Sequence, residues 1–422
     1  MQYITDLHFH SKYSRAVSQL MNLENCAEWA AKKGIQVIAA CDFTHPEFFL
    51  EIKQKLEPQK IGLLKLKNSD LNVYFLLGTE ISCIYSKNNR GYRIHVLVWM
   101  PNLEAVERFN AQLGWRGNLK SDGRPILGMD VKELTKIAFE VTDQAAIIPA
   151  HAWTPWFSLF GSQFGFDSLK DCFEEYTDKI FAIETGLSSD PAMNWRLSQL
   201  DNVSIVSFSD AHSLPNIGRE ATVFELEELS YQNIIRAIKQ PIDLKNKIVY
   251  TIEFYPEEGK YHWDGHRNCN VRFSPQETLK NKEICPVCKK KVTVGVMNRV
   301  EKLADREEIK EPPKGRPSYK SLVPLQEIIA EALGQKKGTK AVNQEYEQLV
   351  KAGGDEFNVL MNIDEAELKK MTLPKIAEGV MKVHRGDIIV EAGYDGVFGT
   401  VKVWPEQEKM SEAEASGQKS LF

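Results

Sequence analysis

Residues 3–10 read YITDLHFH, a short run of β-branched and aromatic residues that ends on two histidines. The pattern predicts a strand, and side chains two apart on a strand share a face, so His8 and His10 are expected to point the same way. Six further runs repeat the design: VIAACDF (37–43), VYFLLGTEI (73–81), RIHVLVW (93–99), AIIPAHAW (146–153), IFAIETG (180–186) and SIVSFSDAH (204–212). Amphipathic patterns lie between them. In MNLENCAEWAAKKG (21–34), Leu23, Cys26, Ala27 and Ala30 fall on one helical face. Strand–helix alternation of this kind predicts an α/β fold around a parallel sheet, open or closed into a barrel.

The ends of the runs carry the chemistry. In order they hold His8 and His10, Asp42 followed by His45, Glu80, His95, His151, Glu184, and Asp210 with His212. Six of the nine histidines of the chain are in this set. One histidine or carboxylate at a strand exit is ordinarily a polar loop residue. The same residue types at almost every exit point instead to a multinuclear metal centre, because the C-terminal ends of barrel strands converge on one face. Imidazole and carboxylate ligands suit Zn, Mn or Fe alike, and adjacent divalent ions are suited to hydrolysing phosphoesters.

At 422 residues the chain has room for two or three domains, and 43% hydrophobic with 26% charged residues is ordinary for a globular protein. A net charge of −5 makes the molecule as a whole no polyanion binder, so any nucleic-acid contact must rest on local charge. MQYITDLHFH has no apolar leader core, and no run is long enough to span a membrane, so a cytoplasmic protein without a membrane partner is expected. The seven cysteines are unevenly spread: Cys26, Cys41, Cys83 and Cys172 read as small buried apolar groups, while Cys269, Cys285 and Cys288 cluster. That distribution argues for a metal site and against a disulfide framework.

GKYHWDGHRNCNVRFSPQETLKNKEICPVCKKK (259–291) carries the cluster. His266 and Cys269 have the same spacing as Cys285 and Cys288, and the two half-sites lie about fifteen residues apart, as in zinc ribbons. These four predict one closed structural Zn, with His262 as the alternative to His266 and a redox Cys-x-x-Cys as the alternative chemistry. Charge reverses here: residues 259–320 hold fifteen Lys and Arg against eight Asp and Glu. Lys289, Lys290 and Lys291 follow the knuckle, and Arg299, Lys314, Arg316 and Lys320 continue the pattern. Such a run is usually only a solvated face; beside a metal-hydrolase barrel it is read as a contact to a nucleic-acid backbone.

KEPPKGRPSY (310–319) is a proline-rich joint, after which LVPLQEIIAEALG and AVNQEYEQLVKAGG predict helices closed by glycines. From about residue 406 the chain lacks any core signal, yet it ends QKSLF on two large apolar side chains.

The motifs DLHFHS, CDFTH, GTE, the isolated His95, PAHAW and SDAH resemble those of the PHP (polymerase and histidinol phosphatase) family over about residues 1–225. The resemblance implies a (β/α)7 PHP-type barrel with two to three divalent ions, usually Zn, Mn or Fe, with Mg as a further ion for activity. By position it gives His8, His10, Glu80 and Asp210 to one ion and has Glu80 bridge to a second held by His95 and His151. His45 and His212 would serve a third, with Arg15 standing where the family commonly has an acidic residue and Asp42 as a substitute ligand. His10, Glu80 and Asp210 are the expected catalytic core.

Barrel, zinc-ribbon spacing, helical C-terminal region and the segment GYDGVFG together resemble the endonuclease Q family along nearly the whole chain. That resemblance implies DNA nicking on the 5′ side of a deaminated base (hypoxanthine, uracil, xanthine) or an abasic site, leaving 3′-hydroxyl and 5′-phosphate ends. The implied organisation is a catalytic barrel over 1–250, a zinc-binding module over 251–310, a mainly helical C-terminal domain over 311–405 and a tail over 406–422. A lesion base must leave the stack to be read. In AWTPWFSLFGSQFGF (152–166), Trp153 and Trp156 are therefore candidates to stack on DNA, against the alternative that they pack the loop. Arg116, Lys120 and Arg124 in a glycine-rich basic stretch are candidate phosphate contacts, as is Arg219 after the SDAH motif, where an ion pair with Glu220 is the alternative. Gln418, Leu421 and Phe422 resemble the peptide that docks on the bacterial sliding clamp, making the clamp an expected partner. A small-molecule phosphatase and an inert DNA-binding scaffold are the rival classes; the first needs no zinc module, and the second predicts decayed ligands.

Overall fold

The computed structural model describes residues 1–239, 245–309 and 311–405. All seven runs form strands: β1 (Gln2–Asp6), β2 (Val37–Ala40), β3 (Tyr74–Lys87), β4 (Arg90–Met100), β5 (Ala146–Pro149), β6 (Ala182–Glu184) and β7 (Ser204–Val206). Three later strands extend the sheet: β8 (Ala221–Glu225), β9 (Lys247–Glu253) and β10 (Ser318–Ser321). The order is β10-β9-β8-β1-β2-β3-β4-β5. β6 and β7 pair with each other in parallel. They join the rest through Ala152 N–H to the Glu184 carbonyl, Asp210 N–H to the His8 carbonyl and His10 N–H to the Ala211 carbonyl.

β1, β2 and β3 run parallel, as the alternation predicts. β4 does not: it runs antiparallel to both β3 and β5. The cause is local. Lys87 pairs with Arg90 across a two-residue loop, and Asn88 (φ 52) and Asn89 (φ 60) both take the left-handed conformation that such a tight hairpin requires. A loop that short cannot carry the crossover a parallel neighbour needs. The sheet is therefore mixed.

Strand β2 is buried throughout, as expected of a strand covered on both faces. Helix α1 (Leu23–Lys33) buries Leu23, Cys26, Ala27 and Ala30, the face its sequence predicts. Its first turn is capped by the Asn22 side chain accepting from Asn25 N–H, and Gly34 closes it at φ 85.

Helices Leu325–Ala332, Lys340–Gly353, Glu356–Met361, Glu365–Met371 and Pro374–Arg385 form the C-terminal region. It is docked on α1 by a buried ion pair: Lys33 Nζ meets Glu356 Oε2 at 2.7 Å. Tyr346 Oη donates to the same oxygen at 2.7 Å, and Leu325 N–H donates to the other. Among the described residues no helix is long and apolar enough to cross a membrane. Gln418, Leu421 and Phe422 lie outside the described residues.

Candidate metal centre

The strand ends bring two ligand groups together. His8, His10 and Asp210 form one, and Glu80, His95 and His151 form the other. Glu80 stands between them. Its Oε2 lies 3.1 Å from His10 Nε2 and 3.6 Å from His8 Nε2, while Oε1 lies 2.7 Å from His95 Nδ1 and 3.1 Å from His151 Nε2. Asp210 Oδ1 faces His10 Nε2 at 3.2 Å and His8 Nε2 at 3.7 Å.

The donor set fits divalent cations. His8 Nε2, His10 Nε2 and Asp210 Oδ1 are buried without a hydrogen-bond partner among the described residues. The opposite ring edges are fully engaged: His8 Nδ1 bonds Glu184 at 2.8 Å, and His10 Nδ1 bonds Asp42 Oδ1 at 3.1 Å. Carboxylates on the far nitrogen fix each ring and leave the near nitrogen's lone pair for a metal, the usual support of metal-bound histidine. His151 Nδ1 meets Thr154 Oγ1 at 3.1 Å, and Glu184 also accepts from the His151 N–H at 2.7 Å.

Backbone strain concentrates here. Asp42 (φ 63), His151 (φ 31) and Asp210 (φ 44) all adopt left-handed conformations that non-glycine residues avoid. Beside His151, Gly186 (φ 59) is required outright, since a Cβ there would stand 2.4 Å from the His151 Cβ.

Charge is dense and buried. Burial alone would raise the Glu80 carboxyl, but His95 and Arg124 beside it and the bond from His151 hold it well below the usual range. Asp210 is likewise held low against burial by His10 and His8. Burial pushes His95 down to about 4, leaving a neutral ring suited to ligation.

Other expected site residues fall elsewhere. Asp42 lies behind His10 and spends its second oxygen on Ser11 N–H, Ser11 Oγ and Ser14 Oγ, so it supports a ligand and joins neither ligand group. His45 stacks on Tyr13 with ring centroids 4.5 Å apart and bonds the Lys120 carbonyl, also outside both groups. His212 stays at the centre's edge, its ring 4.9 Å from that of His10. Arg124 reaches Glu80 Oε2 at 3.1 Å. Arg116 pairs with Glu133 and Lys120 with Glu47, both on the surface. Arg219 forms no ion pair with Glu220 among the described residues; its half-buried guanidinium donates to the Ser209 and Asp210 carbonyls.

Trp153 is a correction. The ring is fully buried and Nε1 donates to Asn194, so it packs the loop and has no face for a base. Trp156 is half-buried, packs edge-on against Tyr261 and lines a cavity of ≈ 510 Å³. The cavity runs from His95, His151 and Asp210 to Tyr261, His262 and the exposed ring of Phe398. Sequence reading placed Glu184 among the strand-exit residues without a role of its own, and gave none to Tyr261 or Phe398. Glu184 was detectable by its place at a strand exit; the other two come from segments with no periodicity to mark them.

The ligand atoms of His266, Cys269, Cys285 and Cys288 lie within 4.8 Å of one another, and His262 is not among them. The knuckle is shaped by Lys289 N–H bonding the Cys285 carbonyl, with Lys289 left-handed at φ 61. Lys289, Lys290 and Lys291 are exposed beside it. Arg299 and Arg316 are engaged within the fold: Arg299 is buried on the Phe160 and Phe166 carbonyls and Asp167, and half-buried Arg316 donates to the Leu200 and Asp201 carbonyls. These bonds anchor the segment to the aromatic loop and to the turn before β7.

Comparison with known proteins bears on this arrangement. The chain is 30% identical to the lesion-specific endonuclease PfuEndoQ from Pyrococcus furiosus, whose crystal structure it matches over 100% of both chains with a TM-score of 0.84. The chain belongs to the endonuclease Q family. A second solved structure of the family, endonuclease Q with a 27-mer duplex carrying an abasic lesion at the active site, is 31% identical with a TM-score of 0.83, covering 96% of this chain and 98% of that one. Residues 324–387 match the MJ0043 C-terminal domain. Protein MJ0043 of Methanocaldococcus jannaschii is 34% identical over 280 residues, 64% of this chain, which spans about a third (34%) of that relative's length.

Proposed function

We propose that this protein is a metal-dependent DNA repair endonuclease that hydrolyses the phosphodiester 5′ to a deaminated base (hypoxanthine, uracil or xanthine) or an abasic site. The observation that carries the reading is the pair of ligand groups sharing Glu80 at the end of a ≈ 510 Å³ aromatic-walled cavity. A family member bound to abasic DNA at its active site supports the same substrate class here.

Divalent ions (Zn, Mn or Fe, with Mg as a further candidate) held by His8, His10, Glu80, His95, His151 and Asp210 supply Lewis acidity and charge neutralisation at the phosphate. Water oxygen bonds to phosphorus, the P–O3′ bond breaks, and the proton passes to the departing O3′, giving 3′-hydroxyl and 5′-phosphate ends. The chain's own groups hold the geometry. Glu184 and Asp42 orient the first two histidines, and Arg124 beside Glu80 offers a cation to the phosphate. An extruded base fits the cavity, where Trp156 can stack on it.

The finer assignments rest on this frame. We read β1–β7 as a (β/α)7-type barrel with one reversed strand, supported by the bonds that tie β6 and β7 to β5 and β1. His266 with Cys269, Cys285 and Cys288 is read as a structural Zn site, its lysines meeting the DNA backbone. The terminal QKSLF is read as a tether to the bacterial sliding clamp, which places the work of a cytoplasmic enzyme at the nucleoid. The reading is tested with end-labelled duplexes carrying one deoxyinosine or deoxyuridine, incubated with Mg or Mn. A single nick 5′ to the lesion, abolished in Asp210→Asn, is expected; hydrolysis of histidinol phosphate without any nick overturns it.

A further inference from the structure

The β3–β4 hairpin runs on past the metal centre. His95 stands opposite Ser82, and five more residue pairs, from Cys83 with Ile94 to Lys87 with Arg90, lie beyond it. Arg93 is two positions from His95, so it shares that face of β4 about 7 Å further out along the strand. The aromatic loop is laced to the same edge. His95 N–H donates to the Phe157 carbonyl at 3.0 Å, and Arg93 N–H to the Phe164 carbonyl at 3.3 Å.

The Arg93 side chain is clasped by rings. Its guanidinium carbon lies 4.3 Å from the centre of the Phe164 ring and 5.6 Å from that of Phe157, both within cation–π range. Phe157 also walls the cavity, with its ring 4.9 Å from that of His95. Neighbouring arginines are engaged internally: Arg124 on Glu80, Arg116 on Glu133, Arg90 on the Gly165 carbonyl and Arg219 on two carbonyls. Arg93 is half-buried, and among the described residues no acceptor takes any of its side-chain donors. Five N–H donors and a permanent charge are therefore held in place and left open at their edges.

We propose that Arg93 forms a phosphate subsite beside the metal centre, gripping the backbone phosphate next to the scissile one on the nicked strand. The inference rests on the proposed lesion-nicking function and adds where the strand is held outside the cavity. With the scissile phosphate at the two ligand groups, its neighbour lies one backbone repeat away, the scale on which Arg93 stands from His95. Arginine meets phosphate through parallel N–H···O bonds, so a fixed guanidinium sets the register of the strand as well as its affinity. Because the two rings order the side chain before DNA arrives, little of its freedom is lost on binding. The contact is to the backbone, so it serves a deaminated base and an abasic site alike.

The test pairs a change in the DNA with a change in the protein. In a deoxyuridine duplex, each phosphate flanking the scissile one is replaced in turn by an uncharged methylphosphonate. Nicking is compared for the full chain and for Arg93→Met, whose unbranched stem still lies against both rings. Neutralising the contacted phosphate is expected to cost the wild-type chain about tenfold in kcat/KM, as for a lost charge-assisted hydrogen bond, and to cost Arg93→Met almost nothing further. The variant should also lose about 0.9 from the slope of log affinity against log salt, the signature of one phosphate contact, while Arg93→Lys retains it. An arginine that only packs the aromatic loop behaves otherwise: both chains then lose equally on the neutral phosphate and the slope does not move. That result overturns the inference. So does a wild-type chain indifferent to a neutral phosphate at either neighbour, which decides the matter even if Arg93→Met fails to fold. If the wild-type chain nicks no lesion duplex at all, the proposed function falls and this inference with it.

Discussion

Glu184 accepts from His8 Nδ1 at 2.8 Å through one carboxylate oxygen and from the His151 N–H at 2.7 Å through the other. One side chain thus positions a member of each ligand group, and both of its bonds need an acceptor. In Glu184→Gln one of the two donors would face an NH2 group. Losses of about 10–100-fold in metal affinity or nicking rate are expected, as for other outer partners of ligating histidines. Metal content by mass spectrometry alongside the nicking rate checks this; wild-type values for both would remove Glu184 from the positioning role.

Two tryptophans three residues apart should behave in opposite ways. Trp153 is fully buried with its Nε1 bonded to Asn194, so Trp153→Ala is expected to cost about 3–5 kcal/mol of stability. Trp156→Ala removes a half-buried cavity wall and should leave the melting temperature near wild type. Its cost should appear as weaker lesion binding, about 1–3 kcal/mol for one lost base stack. Calorimetry and a DNA-binding titration on both variants separate the roles.

That contrast shows where the sequence was readable. All seven strand runs appear, and six of the polar residues at their exits form the two ligand groups, because alternating burial and exit position are local signals. Strand direction was not: the reversal of β4 hinges on Asn88 and Asn89, two residues between runs that look alike in either direction. Nor does residue type separate ligand from support. Asp42 and Asp210 both follow strand runs, yet one sits behind His10 Nδ1 and the other before Nε2. Which edge of a ring a carboxylate meets depends on packing between distant segments. The cavity joins the aromatic loop to residues about a hundred positions later, a juxtaposition no periodicity encodes.

The Cys285 thiol is buried at the heart of the Cys-His group, in a satellite core with Val271 and Val292. Few apolar side chains hold this segment, so a bound Zn would supply much of its folding free energy. Cys285→Ser is expected to release one Zn per chain, seen by a chromogenic chelator, and to expose residues 259–291 to protease. Any metal held at the strand-end centre should be retained. Loss of every metal at once would mean that the two centres are not independent.

Glu220 and Glu253 form a buried acidic pair behind the centre. Glu253 accepts from Thr185 Oγ1, Ser207 Oγ and Thr251 Oγ1, while Glu220 Oε2 has no partner among the described residues. Burial, then mutual repulsion for Glu220, raises both carboxyls well above the usual value of 4.5. The folded protein therefore keeps protons that the unfolded chain releases, and this contribution to stability is lost as pH rises above about 4.5. Glu220→Gln, permanently neutral, should raise the melting temperature more at about pH 8 than at about pH 5, with the metal-loaded protein used throughout. An identical shift at both pH values would show that Glu220 is ionised in the fold.

Lys33 and Glu356, 2–3% exposed, join α1 to the helical C-terminal region away from bulk solvent. Removing one member of such a pair costs more than the pair contributes, because the survivor stays buried and unpaired. Lys33→Met keeps the length of the stem but strands the Glu356 carboxylate, which among the described residues retains Tyr346 Oη and Leu325 N–H. A loss of about 3–5 kcal/mol is expected in a denaturant titration. Adding Glu356→Gln should restore most of it, since the amide oxygen still accepts from both donors and no charge remains. If the double variant is no more stable than Lys33→Met alone, the loss comes from packing along the lysine stem and the charge at Glu356 is not its cause.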